Sequence, residues 1–330
     1  MTIRIALDVL AAVIIVGALI DVFVTVFSPN GAGPITDSWT RWLWRLLLFI
    51  HRRRSIHRGL AFAGPFMLVA SILLWYLLIG IGLFILLAAH PSSVTVSKTG
   101  LPAEPIEKLY FVNTTISGLG YGDLVPSGFP WTLLVTASTF IATMVLTASI
   151  SYVISVVGAA IERKKLAHGI FGLGESISEI IEFSRLDEPE NSLKDYVTDL
   201  ASTMDGHALK HLAYPILKYF HESDAGSSPV RAVLVFSDAF FISIQRAPDR
   251  RPPPGVQRLL ENSIRNYAQI THAVIPVRLP DQDPGHLIQS AREYGIAVES
   301  DPEFRTKLES YLALRRRLLA LCYEDGWYEE

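Results

Sequence analysis

Residues 113–130 read NTTISGLGYGDLVPSGFP, and the rest of the chain is understood from them. Gly118, Gly120 and Gly122 alternate with Leu119 and Tyr121, and Asp123 follows at once. On either side lie uncharged apolar runs: residues 66–89 carry no charge in 24 positions and residues 124–161 none in 38. About 20 apolar helical residues cross a ~30 Å hydrocarbon core, so both runs are expected to span a membrane. Irregular backbone against lipid would leave amides and carbonyls unsatisfied, at several kcal/mol each. The glycine stretch is therefore expected inside protein or along a water-filled path. Glycine enters positive φ without steric penalty, so alternating glycines can turn successive carbonyls the same way. Several copies around an axis would stack rings of oxygens able to replace a cation's hydration shell.

Half of the 330 residues are hydrophobic, which suggests a membrane part joined to a water-soluble part. A net charge of -3 gives no broad electrostatic case for nucleic acid. Cys322 is the single cysteine, which excludes an intrachain disulfide and any multi-cysteine metal site. Residues 5–27 form a third expected span, apolar apart from Asp8 and Asp21 near its ends. It is too long for a signal peptide, and its positive charge follows rather than precedes it. Those following charges, Arg41, Arg45, Arg52, Arg53, Arg54 and Arg58, should stay cytoplasmic, placing the N-terminus outside and the C-terminal region inside. The expected division is an N-terminal transmembrane helix (1–28), a cytoplasmic Arg-rich interfacial linker (29–64), a membrane core with outer helix, re-entrant helix and inner helix (65–160), and a cytoplasmic helical domain (161–330).

Within the linker, residues 29–36 read as a turn. WTRWLWRLLLFIHRRR (39–54) reads as an amphipathic helix lying in the interface, anchored by Trp39, Trp42 and Trp44, or equally as a basic stop-transfer linker. Pro91 ends the second span. Pro105 with Glu104 and Glu107 marks a helix start, and residues 105–117 are too short and polar to span, so a re-entrant helix is expected. Helical periodicity fits residues 174–185, 192–221, 229–246, 255–273 and 301–322, with RAPDRRPPPG (246–255) as a loop. By propensity alone AVLVFSDAFFISI would suit a strand, but its flanks favour a helix.

The re-entrant helix, the run Gly120–Tyr121–Gly122–Asp123 and the two flanking spans resemble the potassium-channel pore family, whose filter is close to T-V-G-Y-G followed by Asp. The likeness covers roughly residues 65–160. It implies a mainly α membrane protein, a tetrameric P-loop cation channel pore with a cytoplasmic α-helical domain. One chain supplies one pore loop and a coaxial ring needs four, hence a homotetramer. The likeness also implies that Gly118, Leu119, Gly120, Tyr121 and Gly122 form the ion-binding filter. Thr114, Thr115 and Ser117 would support it from behind, and Asp123 would sit at the outer mouth. Gly118 stands where the family usually has threonine, which weakens the innermost ion site, and Leu119 stands for valine. Tyr110 and Phe111 fall where a tryptophan cuff is frequent.

Further along, Thr139, Thr143, Thr147, Ser151 and Ser155 make a hydroxyl stripe, read either as a wetted cavity wall or as helix–helix hydrogen bonding. By distance from the filter, the resemblance puts Thr143, Leu146, Ile150 and Ile154 nearest the axis, with Ile150 and Ile154 as an apolar gate. Ala142 occupies the family's glycine-hinge position.

Other features are set aside. Asp8 is expected to pair with Arg4, and Asp21 to pair with Arg41 or Arg45 in preference to acting as a sensor. The first span has no arginine ladder, which argues against voltage sensing. His207 and His211 have i, i+4 spacing near Asp205, but without a third ligand they read as two histidines on a solvated face. GIFGLGES (169–176) lacks the third glycine and preceding strand of a dinucleotide site and reads as a hinge. The sequence thus points to a passive potassium-selective channel with no cofactor beyond permeant K+. Its partners would be its own copies, the bilayer and an unknown ligand at the cytoplasmic domain, with no nucleic acid. Two alternatives stand: a weakly selective monovalent cation channel, or a membrane-anchored sensor or enzyme acting through residues 166–330.

Overall fold

The structure is a computed structural model that describes residues 2–29, 31–184, 193–270, 284–296, 298 and 302–327. It is 79% helical. In chain order the helices are α1 (Thr2–Phe27), α2 (Pro34–Arg53), α3 (His57–Ala61), α4 (Ala63–Ala89), α5 (Pro105–Ile116) and α6 (Trp131–Phe171). They continue as α7 (Ile177–Ser184), α8 (Leu193–Ala213), α9 (Pro229–Gln245), α10 (Pro254–Ala268), α11 (Gly285–Glu293) and α12 (Pro302–Glu324). Two short strands, β1 (Val94–Val96) and β2 (Leu124–Pro126), pair antiparallel. Among the described residues three helical stretches are long and apolar enough to cross a membrane: Thr2–Phe27, His57–Ala89 and Trp131–Phe171. The chain forms two compact units, one of Met1–Thr40 with Pro65–Val156, the other of Arg41–Gly64 with Val157–Glu330.

The first unit is organised around a buried carboxylate. Asp21, with no exposed surface, lies six residues from the end of α1. Its oxygens accept from the Ile35 amide (2.7 Å), the Thr36 amide (3.2 Å), the Thr36 hydroxyl (2.5 Å) and Trp75 Nε1 of α4 (2.8 Å). The carboxylate thus satisfies the orphan amides in the first turn of α2, where the helix dipole favours a negative charge. Thr25 adds an acceptor for the Gly33 amide at 2.8 Å. A Cβ at Gly33 would collide with the Asp21 carboxylate, so glycine is required there. Around this cap pack Ala18, Val22, Trp75, Ile79 and Val145. The arginine partners expected for Asp21 are thus replaced by a helix start and an indole. Asp8 likewise meets His90 (3.0 Å) instead of Arg4.

α9 is the centre of the second unit. Nearly all of its residues from Pro229 to Ser243 are buried, and α7, α10, α11 and α12 pack against it. This decides between strand and helix for AVLVFSDAFFISI: a run apolar all round makes a helix surrounded by others. α12 supplies Tyr311 and Arg315, whose hydroxyl (2.6 Å) and Nε (3.0 Å) satisfy the buried Asp238 of α9. Arg163, on the part of α6 that belongs to this unit, binds both Asp325 oxygens at 2.9 Å and donates to the Leu217 carbonyl at 2.8 Å. In α2, Trp44 is buried and donates to the Glu324 carbonyl at 3.0 Å. It is therefore packed in protein, not a membrane anchor, whereas Trp42 is exposed.

Several boundaries differ from expectation. The helix expected over 192–221 stops at Ala213, because Pro215 has no N–H to donate and disfavours helical geometry at Tyr214; a short 3-10 turn, Pro215–Tyr219, follows. The nine-residue α11 was not anticipated. Residues 185, 192, 271–273 and 301 of the expected helices lie outside the described residues. His207 is not on a solvated face: it is buried and stacks on Tyr267 with centroids 5.3 Å apart.

Two measurements test these interiors. Asp21→Ala would strand two amides and a hydroxyl, at about 1–3 kcal/mol each, and leave the Trp75 indole only its 3.2 Å bond to Thr36 Oγ1. A clear fall in the melting temperature of the detergent-solubilised protein is expected, with a smaller fall for Asp21→Asn; an unchanged melt for Asp21→Ala would contradict the capping role. Burial, helped by the Arg163 and Lys210 charges, pushes the His207 pKa down to about 3. The folded chain therefore refuses a proton that the unfolded chain accepts near ~6.5. The stability involved is fully present above that value and is lost as pH falls towards 3. His207→Phe, which keeps a ring against Tyr267, should lose less melting temperature than the parent between roughly pH 6.5 and 4.5. Equal losses would contradict the assignment.

Candidate functional site

α5 begins as the sequence indicates. Pro105 occupies its first turn, and the Glu104 amide donates to Glu107 Oε2 at 2.7 Å in a reciprocal capping box. One turn on, Lys108 is only 2% exposed although it carries a charge. Its Nζ donates to the carbonyls of Leu87 (3.0 Å), His90 (2.7 Å) and Pro91 (3.0 Å). Three donors meet three acceptors at the frayed end of α4, so this lysine fastens α5 to α4. Leu83, Leu87, Val94, Phe111, Val112 and Leu124 close an apolar cluster beside it.

α5 ends at Ile116, and the glycine stretch hangs from its last carbonyls. The Thr115 carbonyl accepts from the Gly118 amide at 3.1 Å. The Thr114 carbonyl accepts from Leu119 (3.0 Å) and Gly120 (3.3 Å). Support from Thr114 and Thr115 is therefore a main-chain matter. The Thr114 hydroxyl turns back to the Phe111 carbonyl at 3.0 Å, and Ser117 Oγ donates to the Thr114 carbonyl at 3.2 Å. Gly118, Gly120 and Gly122 take φ of +75°, +52° and +78°, a region that L side chains rarely enter. Residues 117–123 are all exposed in a single chain, Leu119 at 60% and Tyr121 at 67%. The downstream end is fixed too. The Asp123 carboxylate accepts from the Leu124 amide at 3.1 Å. The Asp123 carbonyl accepts from the Ser97 amide at 2.9 Å, where β1 pairs with β2 in the register Val94↔Pro126, Thr95↔Val125, Val96↔Leu124.

α6 presents two different faces. Ala142, Val145, Ser149, Tyr152, Val156 and Ala159 are buried, a stripe at helical spacing. Away from it, Thr143, Leu146, Ile150 and Ile154 are exposed. In the hydroxyl series each side chain donates to the carbonyl four residues back on its own helix, as Thr143 to Thr139 (3.0 Å) and Ser155 to Ser151 (3.0 Å). Among the described residues none of these hydroxyls bonds another helix. Ala142 is held from α4, its carbonyl accepting from the Tyr76 hydroxyl at 2.7 Å. No group of three His, Cys, Asp or Glu side chains able to hold a metal ion occurs among the described residues.

The Lys108 clasp and the β1–β2 pair escaped the sequence reading. The lysine had a visible signal, a charge in phase with the apolar face of a helix between two spans. The three-residue strands had none, since their partners lie thirty residues apart.

The chain is 26% identical over 298 residues to the uncharacterized membrane protein YdjJ of Bacillus subtilis (strain 168), an alignment covering 90% of this chain and 87% of that protein. No family model matches the chain. No solved structure matches it. This is a mainly α-helical membrane protein.

The lysine clasp can be tested directly. Lys108→Met keeps the length of the side chain but takes a donor from the Leu87 and His90 carbonyls, which keep Ser93 as a donor, and leaves the Pro91 carbonyl without its donor. Faster hydrogen exchange is expected in residues 87–96 and 117–127, with α9 unchanged; exchange indistinguishable from the parent would contradict the clasp.

Proposed function

We propose that the protein is a passive cation channel whose selectivity filter is Gly118–Gly122, assembled from four copies around a shared axis. One observation carries the reading. An exposed segment with three positive-φ glycines hangs from the C-terminal carbonyls of a helix too short to span, between two helices that can. Backbone of this kind is tolerated at membrane depth only in protein or beside water. Exposed carbonyl-bearing residues in one chain would be enclosed by the equivalent residues of neighbouring copies. The negative end of α5 lies next to the segment and favours a cation on its far side.

The same arrangement supports a role for α6 as the inner helix. Its exposed face mixes Thr143 with Leu146, Ile150 and Ile154, which suits a cavity wall narrowing to an apolar constriction that gates by dewetting. The arginines following α1 and the charges Glu162–Lys165 favour a cytoplasmic C-terminal region. Conduction is downhill and involves no bond chemistry, so no enzymatic role is assigned.

Potassium is the preferred ion, because the Gly–Tyr–Gly part of the stretch is retained. A second reading, weak selectivity among monovalent cations, is favoured by Gly118, which brings no hydroxyl to the inner end of the filter.

Purified protein in liposomes decides the matter. Potassium flux is expected, with Gly120→Ala abolishing it, because a Cβ is strained at φ +52°. In a potassium–sodium biionic gradient a large reversal potential identifies the selective channel and a near-zero value the weakly selective one. Absence of flux would remove both readings and leave a membrane-anchored sensor or enzyme.

A further inference from the structure

The second unit contains a cleft of about 860 Å³, at the upper part of the size range of small-molecule sites. Its lining is selective in its chemistry. Among the described residues four arginines face it, Arg52, Arg53, Arg231 and Arg315, and no lysine does. Among the described residues two carboxylates, Glu175 and Asp238, line it as well. Asp238 is already committed, since Arg315 Nε and the Tyr311 hydroxyl are bound to it. Arg53 and Arg231 are exposed and meet no carboxylate among the described residues. They lie instead on aromatic rings, Arg53 4.5 Å from the centre of Phe49 and Arg231 5.3 Å from that of Trp327. Guanidinium groups stacked on rings keep their forked edge free to bind, and that fork matches phosphate and carboxylate oxygens in pairs.

The floor adds a second requirement. Ile177, Leu234 and Val235 give the cleft an apolar base, while Ser55 and Ser176 place hydroxyls on its wall. Ser176 Oγ accepts from the Glu179 amide at 3.2 Å, which leaves its own proton to donate. Trp327 is held rigidly at one side. His57 and His221 share a hydrogen bond of 3.0 Å, and their rings stand 4.6 and 5.0 Å from the indole centre. With the two imidazole centres only 5.2 Å apart, both cover the same face of the tryptophan.

We propose that this cleft binds a small phosphate monoester, its dianion held by Arg53 and Arg231 and its organic part resting on Ile177, Leu234 and Val235. Arg53 and Arg231, which meet no carboxylate among the described residues, carry the two positive charges that a monoester dianion neutralises. The segments it would bridge are separated widely in sequence: Arg52–His57 precedes α4, and Glu175–Ile177 follows the turn after α6. An occupant therefore ties together the stretch that leads into α4 and the stretch that follows α6. Binding does not depend on the channel reading and is measured without flux.

Two sources of the same chemistry are available, a soluble metabolite or the headgroup of a membrane lipid. Titration calorimetry on the full chain in detergent, with phenyl phosphate in one arm and dihexanoyl phosphatidic acid in the other, distinguishes them. Saturable binding of at least one is expected, weakened about tenfold or more by Arg231→Gln and separately by Arg53→Gln, each checked for an unchanged melting temperature. Bound probe should also slow hydrogen exchange in residues 51–57 and 175–177. Binding of phenyl phosphate assigns a soluble ligand, and binding of the lipid alone assigns a headgroup. No binding of either probe, undiminished binding in both variants, or unchanged exchange in those segments would overturn the proposal.

Discussion

A main-chain amide that leaves a helix must find an acceptor, and the carbonyls at the end of α5 are where this chain finds them. Thr114 and Thr115 give their oxygens to the amides of Gly118, Leu119 and Gly120. That arrangement uses up the amides on one side and leaves the backbone oxygens of the following residues unclaimed by their own helix. The rest of the first unit holds this hanging segment in place. Lys108 fixes one side of α5 to the end of α4, and the β1–β2 pair fixes the far end at Asp123. A segment this short, pinned at both ends, has little freedom except at its three glycines.

The same rule explains Asp21. A carboxylate within an apolar helix is costly unless it is fully hydrogen-bonded. Here it is satisfied by the first turn of α2 and by Trp75, so that one buried charge joins α1, α2 and α4. Its cost is offset by amides that would otherwise be equally costly. Arg163 and Asp325 do the corresponding work in the second unit, where burial raises the Asp325 pKa to about 6 against the pull of the arginine.

Much of the fold was legible because its signals are local. Uncharged runs located α4 and α6, and Pro105 with Glu104 and Glu107 placed the start of α5 within a residue. The alternating glycines announced positive φ, and all three have it. What stayed hidden depends on partners distant in sequence. Nothing near Asp21 or Asp8 indicates Trp75 or His90, so nearby arginines were favoured instead. Trp44 reads as an interfacial anchor until its indole is found donating to Glu324. His207 reads as a surface residue because its cover, Tyr267, comes from another helix sixty residues on. The basic cleft gathers residues from the linker, α9, α11 and α12, and no window of sequence contains them together.

The proposed function rests on backbone oxygens near Tyr121 facing one another across an axis that four chains share. A density map of the purified, solubilised protein at a resolution that separates carbonyl oxygens tests this most directly. The account predicts a four-fold assembly with discrete peaks on the axis level with residues 118–121. A monomer, or an assembly in which that stretch points away from its symmetry axis, would contradict it.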